Sequence, residues 1–271
     1  MKKIKILFLL FVGVSLTFAS CKKDTVEDTP PVVVTGSYID KETYDDGSYT
    51  KFTYNAAHQV ISGQDYDNMG VLQDGSANFT YASGFLVKFE SISGGSADMK
   101  LEFTNNASGM PVKADVFSDD GAGLIQVGYF EYTYSGNQLT QMSMFFEVMG
   151  QTLEVSKSEF IYSGDNVSMI KLYEMGGTLA LEYAGSEIYE YDTKVNPYLN
   201  IGLNFFMGEI NFMNKNNYTK MTSKDASGAV MNDQSENVTY EYNSANQPSK
   251  RTINSFDNSY TDMTILSYVN M

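Results

Sequence analysis

Along most of the chain, apolar and aromatic residues alternate with polar ones at a period of two, the pattern of strands with one face buried. The regular stretches recur as a unit. An aromatic–x–aromatic pair is followed by a short turn rich in Asn, Ser and Gly, and then by an apolar residue that opens the next strand. The unit reads Phe52-Thr53-Tyr54 before Ala56–Val60, and Phe79-Thr80-Tyr81 before Ser83–Leu86. A degenerate copy is Leu101-Glu102-Phe103 before Ala107–Met110, and clearer copies are Tyr132-Thr133-Tyr134 before Ser135–Leu139 and Phe160-Ile161-Tyr162 before Ser163–Val167. The last two are Tyr189-Glu190-Tyr191 before Asp192–Lys194 and Tyr240-Glu241-Tyr242 before Asn243–Pro248. Rings two positions apart lie on one face of a strand, and the residues that follow tolerate the positive φ of tight turns. Each unit therefore predicts a β-hairpin. Further turns fall between the units, at Asp45-Asp46-Gly47, Asn68-Met69-Gly70, Ser93-Gly94-Gly95, Asp119-Asp120-Gly121, Met149-Gly150, Gly176-Gly177 and Ser227-Gly228.

Turns this regular, with no long helical stretch, predict an all-β fold: one large antiparallel meander. Seven two-stranded units give about 12–14 strands, and an open sheet of that size curls. The expectation is a barrel or half-barrel formed by residues 36–271 as a single domain. One segment departs from the pattern, because the interval between aromatic pairs nearly doubles after Tyr191. The extra chain begins Asn196-Pro197-Tyr198. Leu199, Leu203, Phe206, Ile210 and Met213 then recur in alternating steps of four and three, a helical stripe. A short helix or loop plug is expected around 198–213. Tyr198 and these five apolar residues are the candidate cavity or lid residues, and the same stripe also suits a fixed core plug.

The amino terminus breaks the alternation altogether. Lys2, Lys3 and Lys5 precede an apolar run from Ile6 to Phe18. That run is too short to span a bilayer, which needs roughly 20 residues, and it suits a signal-peptide core over residues 1–20. It ends in Phe18-Ala19-Ser20-Cys21. Small residues before a Cys resemble a lipobox, with Phe18 in place of the usual aliphatic residue, so Cys21 is the expected lipidation site. Residues 21–35 are polar, charged and Pro-containing, and read as a disordered tether. Within it Asp24-Thr25-Val26 offers Thr25 as a candidate O-glycosylation site.

Composition removes several function classes. The single Cys excludes an intramolecular disulfide and multi-thiolate metal sites, and the single His excludes two-His metal sites. The net charge is −15 and falls to −18 once the three signal-peptide lysines are gone. This balance, with Arg251 as the one arginine, argues against nucleic acid. The 20 Tyr, 17 Phe and 15 Met suit either strand packing or an adaptable ligand cavity. No cofactor is implied.

Catalytic signals are sparse. His58 falls in a hairpin turn. Ser48-x-x-Lys51 and Ser168-x-x-Lys171 match a Ser–Lys pattern but sit in predicted strands. Asp65-Tyr66-Asp67 begins like a Ca²⁺ loop and lacks the closing Glu, because Ser76 stands there. Paired carboxylates for hydrolysis need only two acids across a cleft, and 33 acids leave that pattern without specificity. An integral membrane barrel fits poorly, because Lys157 and Glu159 would share a face with Leu153 and Val155.

The aromatic–x–Tyr units resemble YD-type repeats. The runs Tyr189–Tyr198 and Lys215-Asn216-Asn217-Tyr218-Thr219-Lys220-Met221 resemble Bacteroidota lipoproteins of unknown function with a porin-like fold, over roughly residues 38–271. Charged residues directly after Cys21 also resemble the surface-export signals of such lipoproteins. The resemblance implies a curled antiparallel sheet and brings no substrate or catalytic residues. The reading is a non-enzymatic lipoprotein anchored to the outer membrane, on its periplasmic or cell-surface side, that binds an apolar or carbohydrate ligand or an envelope partner. Its expected partners are the membrane, through the lipid, and a small-molecule, glycan or protein ligand. The alternatives are a structural or adhesion protein without a pocket, and a carboxylate-pair hydrolase.

Overall fold

The computed structural model describes residues 36–271 except 149, 202, 204 and 205. The signal segment, the tether, Cys21 and Thr25 lie outside the described residues.

Sixteen strands follow one another around a closed antiparallel barrel. They are β1 (Ser37–Tyr44), β2 (Tyr49–Tyr54), β3 (Val60–Tyr66), β4 (Leu72–Ala82), β5 (Phe85–Ser93), β6 (Ser96–Asn105), β7 (Pro111–Asp119) and β8 (Leu124–Ser135). Then come β9 (Gln138–Val148), β10 (Gln151–Ser163), β11 (Asn166–Met175), β12 (Leu181–Val195), β13 (Asn216–Asp225), β14 (Glu236–Tyr242), β15 (Pro248–Ser255) and β16 (Thr261–Asn270). Each strand pairs with its sequence neighbours, and β1 closes on β16. Closure removes the two free edges that an open sheet of this size would expose.

The seven hairpin units account for β2 to β15. The two further strands flank the series, which is why the count exceeds the expected 12–14. Together they form an eighth unit divided between the termini: Leu266-Ser267-Tyr268 in β16 takes the place of the aromatic pair, and β1 is its return strand. The register also corrects the degenerate third copy. Asn106 turns the chain as Asn55 and Asn243 do, through the same pair of backbone hydrogen bonds. Phe103 and Asn105, and not Leu101 and Phe103, therefore stand where the aromatic pair stands elsewhere.

The function of the second residue of each pair is now visible. Its side chain reaches across to a backbone carbonyl at the start of the preceding unit's return strand. Tyr54 donates to Ile39 O (2.7 Å), Tyr134 to Pro111 O (2.8 Å), Tyr191 to Val167 O (2.6 Å) and Tyr268 to Pro248 O (2.7 Å). In the third unit Asn105 does the same with Leu86 O at 2.8 Å. In the seventh the first residue of the pair, Tyr240, reaches Tyr218 O at 3.1 Å. In the second and fifth units the tyrosines are in place, but the Tyr81 and Tyr162 hydroxyls make no such bond. The repeat thus encodes a ring of staples around one end of the barrel.

That end is also closed by the insertion between β12 and β13. Its described residues form three short 3-10 turns, Pro197–Ile201, Phe206–Gly208 and Ile210–Phe212, rather than one regular helix. Met207 takes a positive φ of 51° within it, which an uninterrupted helix does not allow. Two buried amides hold the ends of the plug. Asn196 donates to Asn211 O at 2.6 Å and Asn214 O at 3.0 Å, and Asn214 donates to Ile210 O at 2.7 Å while accepting from Val167 N at 2.6 Å.

The outer wall is charged. Lys88–Glu90, Lys100–Glu102, Lys113–Asp115 and Lys157–Glu159 are ion pairs between alternate residues of one strand, at 2.7–2.9 Å. Lys220–Glu190 and Lys250–Glu241 bridge neighbouring strands on the same outer face. Several of these lysines also lie over outward rings, including Lys157 over Tyr173 at 3.7 Å and Lys113 over Tyr129 at 4.5 Å. A lysine facing lipid near the bilayer midplane would cost about 2–4 kcal/mol.

Candidate functional site

The interior is divided lengthwise by chemistry. Strands β4 to β11 supply an apolar half through Phe79, Phe89, Leu101, Phe103, Phe130 and Phe160, all buried. The plug packs there. Phe206 meets the rings of Phe89 at 5.0 Å and Phe79 at 5.9 Å, and Gly208 sits against Met142 and Phe160. Strands β12 to β16, with β1 to β3, supply a polar half. The register carries it around the wall: Glu236 stands opposite Met221 and Ser255, and Arg251 pairs with Tyr240 on one side and Thr264 on the other. Thr264 in turn faces Tyr44, and Glu42 faces Leu266.

Arg251 is the centre of this half. Its guanidinium lies 5.9 Å from the Tyr198 ring. Burial works against its charge, yet Tyr198, Tyr218 and Glu42 around it hold the pKa above the ordinary arginine range. The carboxylates nearby are each engaged by another group. Tyr198 donates to Glu42. Glu236 accepts from Tyr218 at 2.7 Å and from Tyr260 at 3.1 Å, and Glu187 accepts from Tyr189 at 2.6 Å. Glu209 accepts from the side-chain amide of Asn211 at 2.9 Å. None of these carboxylates forms an ion pair with Arg251, and Arg251 Nε is buried without a hydrogen-bond partner. Beyond Arg251, Tyr44 hydrogen-bonds Thr50 at 2.9 Å, and the Thr50 hydroxyl donates to Asp65 at 2.6 Å.

Enclosure sets the titration of the site. Burial pushes the Glu187 carboxyl up to about 7; the Tyr189 hydrogen bond opposes this, and the Glu209 and Glu236 charges add to it. Burial raises Glu209 as well, against the Asn211 amides and Arg251. The hydroxyls of Tyr189, Tyr198 and Tyr218 are driven far above their ordinary range, first by burial and then by adjacent carboxylates, so they act as donors. Arg251, Glu187, Glu209 and Tyr198 lie deep within the barrel yet are only half-buried. They therefore keep accessible surface and are not fully packed into protein.

The six plug residues divide between the halves. Leu203, Phe206, Ile210 and Met213 are buried in the apolar core. Leu199 is half-buried in the first turn of the plug. Tyr198 turns the other way, into the polar half, while also meeting Phe212 edge-on at 6.0 Å. The sequence patterns with a catalytic look are absorbed by local structure. His58 has a positive φ of 61° in its turn and contacts the Tyr38 hydroxyl at 3.2 Å. Asp67 caps its own turn, accepting from the amides of Met69 and Val71 at 2.9 Å. Ser168 donates to Ile161 O across the hairpin. Sequence reasoning missed Glu42, Glu187, Glu209 and Glu236. The usable signal was inward parity: Glu187 shares a strand face with Tyr189, and Glu236 with Val238 and Tyr240.

A closed sixteen-stranded barrel with an internal plug and a polar lumen is a porin-like architecture. Solved structures similar to it include two porin-like proteins. A porin-like protein from Bacteroides uniformis ATCC 8492 gives a TM-score of 0.54 at 12% identity, covering 89% of this chain and 98% of that one. A porin-like protein from Bacteroides vulgatus ATCC 8482 gives 0.50 at 11% identity, covering 87% and 100%. These likenesses establish the fold. No protein-family model and no curated protein sequence matches the chain.

Proposed function

We propose that this chain is an outer-membrane-anchored lipoprotein whose barrel is a non-enzymatic binding module, with its ligand held in the polar half of the lumen. The observation that carries the binding reading is the wall itself. Arg251, four carboxylates and the hydroxyls of Tyr189, Tyr198 and Tyr218 lie together in the polar half, and Arg251 Nε has no hydrogen-bond partner. Polar groups of this kind are costly to bury without a partner, so a ligand that supplies acceptors gains from each one it satisfies.

Anchoring through Cys21 is supported by the signal-like amino terminus and by the charged outer wall, which suits water and not lipid. Residue 36 emerges at the plugged end, beside the carboxy terminus, where Met271 N donates to Gly36 O. A tether from Cys21 would thus set the plugged end toward the membrane. The test is native mass spectrometry of small molecules released from full-length protein purified from its own membrane, alongside a Cys21→Ser variant. A co-purifying ligand and transfer of the variant to the soluble fraction are expected. Wild-type protein free of ligand removes the binding reading, and a variant still held in the membrane removes the anchor.

One observation favours a second reading. Glu187, raised to about 7, is coupled to Glu209 and Glu236, which is the environment of a general acid beside a second carboxylate. A carboxylate-pair hydrolase would cleave the bound ligand, and intact ligand after long incubation would remove it.

A further inference from the structure

We infer that Arg251 is the anchor of a saccharide subsite that takes a neutral, polyhydroxylated ligand beside the carboxylates of Glu42 and Glu236. This rests on the lumen being the binding site, and it names the ligand class and the residue that selects it.

The guanidinium decides the geometry. It is planar and presents a fork of donors, which needs two acceptors at the spacing of a carboxylate, a phosphate or two neighbouring hydroxyl oxygens. Along the outer wall lysines are matched to carboxylates at 2.7–2.8 Å. Inside, the one arginine of the chain has no such match, although carboxylates lie within electrostatic reach. They are held away by tyrosines: Glu42 by Tyr198, and Glu236 by Tyr218 and Tyr260. The fork is left for something that is not protein.

Charge then selects among the three acceptors. Glu42 and Glu209 lie within electrostatic reach of Arg251, and Tyr218, also beside it, donates to Glu236. A carboxylate or phosphate ligand would gain one cation and meet several like charges at short range in a poorly screened interior. A hydroxylated neutral ligand meets no such repulsion. Its oxygens accept from Arg251, and its hydroxyl protons go to the free lone pairs of Glu42 and Glu236, since a carboxylate has room for more than the one or two bonds it accepts here. The guanidinium lies over the Tyr198 ring at 5.9 Å, a contact that helps to hold the fork in place. An apolar ligand would leave all of these groups unsatisfied, and it would find the apolar half already filled by Phe206 and its neighbours.

The single arginine also makes the test direct. Full-length protein labelled with ¹⁵N at Arg Nε gives one side-chain signal. Maltotriose, cellotriose and mannotriose serve as neutral probes, with trigalacturonate and inorganic phosphate as anionic ones, and calorimetry is run in parallel. We expect at least one neutral trisaccharide to bind and to move the Arg251 Nε signal. Trigalacturonate should bind at least tenfold more weakly than its neutral counterparts. Arg251→Lys, which keeps the charge and loses the fork, should weaken the neutral sugar at least tenfold, whereas Lys250→Met on the outer face should leave it unchanged. If a neutral sugar binds without moving the signal, the Arg251 assignment falls and the lumen reading stands. If the anions bind more tightly, the site is an anion site and the inference falls. If no probe binds while native protein releases a ligand of other chemistry, the saccharide class falls and only the lumen reading survives. The wild-type signal decides the matter even if the lysine variant fails to fold.

Discussion

At the scale of single residues, the polar half of the lumen stores strain of an electrostatic kind, and Glu187 is where it can be read. Its pKa is raised from 4.5 to about 7, first by burial. Between those two values the folded protein holds a proton that the unfolded chain has released. Stability therefore falls as pH rises through this window, and levels off above about 7. The full effect is of order 3 kcal/mol. Glu187→Gln keeps an acceptor for the Tyr189 hydroxyl and removes the charge. The variant should be more stable than wild type at pH 8, nearly equal to it at pH 4.5, and flatter between them in denaturant titrations. A wild-type profile that is already flat over that range would count against the enclosed carboxylate.

At the scale of elements, the repeated hairpin is a device for locking one strand pair onto the next. Tyrosines at the ends of four outgoing strands, with Asn105 and Tyr240 in two others, stitch their hairpins to the ones before. The net worth of such a hydrogen bond is about 1 kcal/mol, and more when removing the donor leaves a buried carbonyl unpaired. Tyr191→Phe takes away the 2.6 Å bond to Val167 O and should cost 1–2 kcal/mol in chemical denaturation. Tyr81→Phe removes a hydroxyl that has no acceptor and should be neutral or stabilising. Equal losses at the two positions would mean that the staple contributes nothing beyond ring packing. Bulges are the other device at this scale. Gly185 sits at the break in register between β11 and β12, with φ 154°. A Cβ there would lie 2.0 Å from the Lys224 carbonyl oxygen on β13, so only glycine lets these two strands approach.

At the scale of the whole molecule, the barrel is completed by its two ends. β1 and β16 are joined along seven residue pairs, from Ser37–Asn270 to Tyr44–Thr264. This seam has the longest sequence separation in the fold, so its closure carries the greatest loop-closure cost. Truncation after Thr252 would remove β16 and leave β1 and the remnant of β15 as open edges. Such edges template aggregation. The truncated chain should be recovered as aggregate and not as monomer by size-exclusion chromatography. A soluble, monomeric product would show that fifteen strands or fewer can close without the terminal seam.

How much of this could be read from the residues alone follows from where the information is stored. Period-two alternation and turns rich in Asn, Asp, Ser and Gly are local, so the hairpins, the all-β class and the curling of the sheet were legible, and so was a plug after Asn196-Pro197-Tyr198. The eighth unit was not, because its halves, Leu266–Tyr268 and Tyr38–Ile39, lie at opposite ends of the chain and meet only when the barrel closes. The apolar stripe from Leu199 to Met213 read as a helix. The plug instead folds as three short turns, because two buried asparagines, Asn196 and Asn214, satisfy its backbone from outside. Arg251 could be counted from the sequence as the lone arginine, but its neighbours could not. Glu42, Glu209 and Glu236 come from three distant segments, and a carboxylate carries no local mark of the partner it will face. The sequence by itself determined the strand pattern, the repeat and the charge, because these depend on neighbours along the chain. Only the tertiary structure decided that one cation would be shut inside among acids with its donors unspent, because burial and electrostatics depend on neighbours in space.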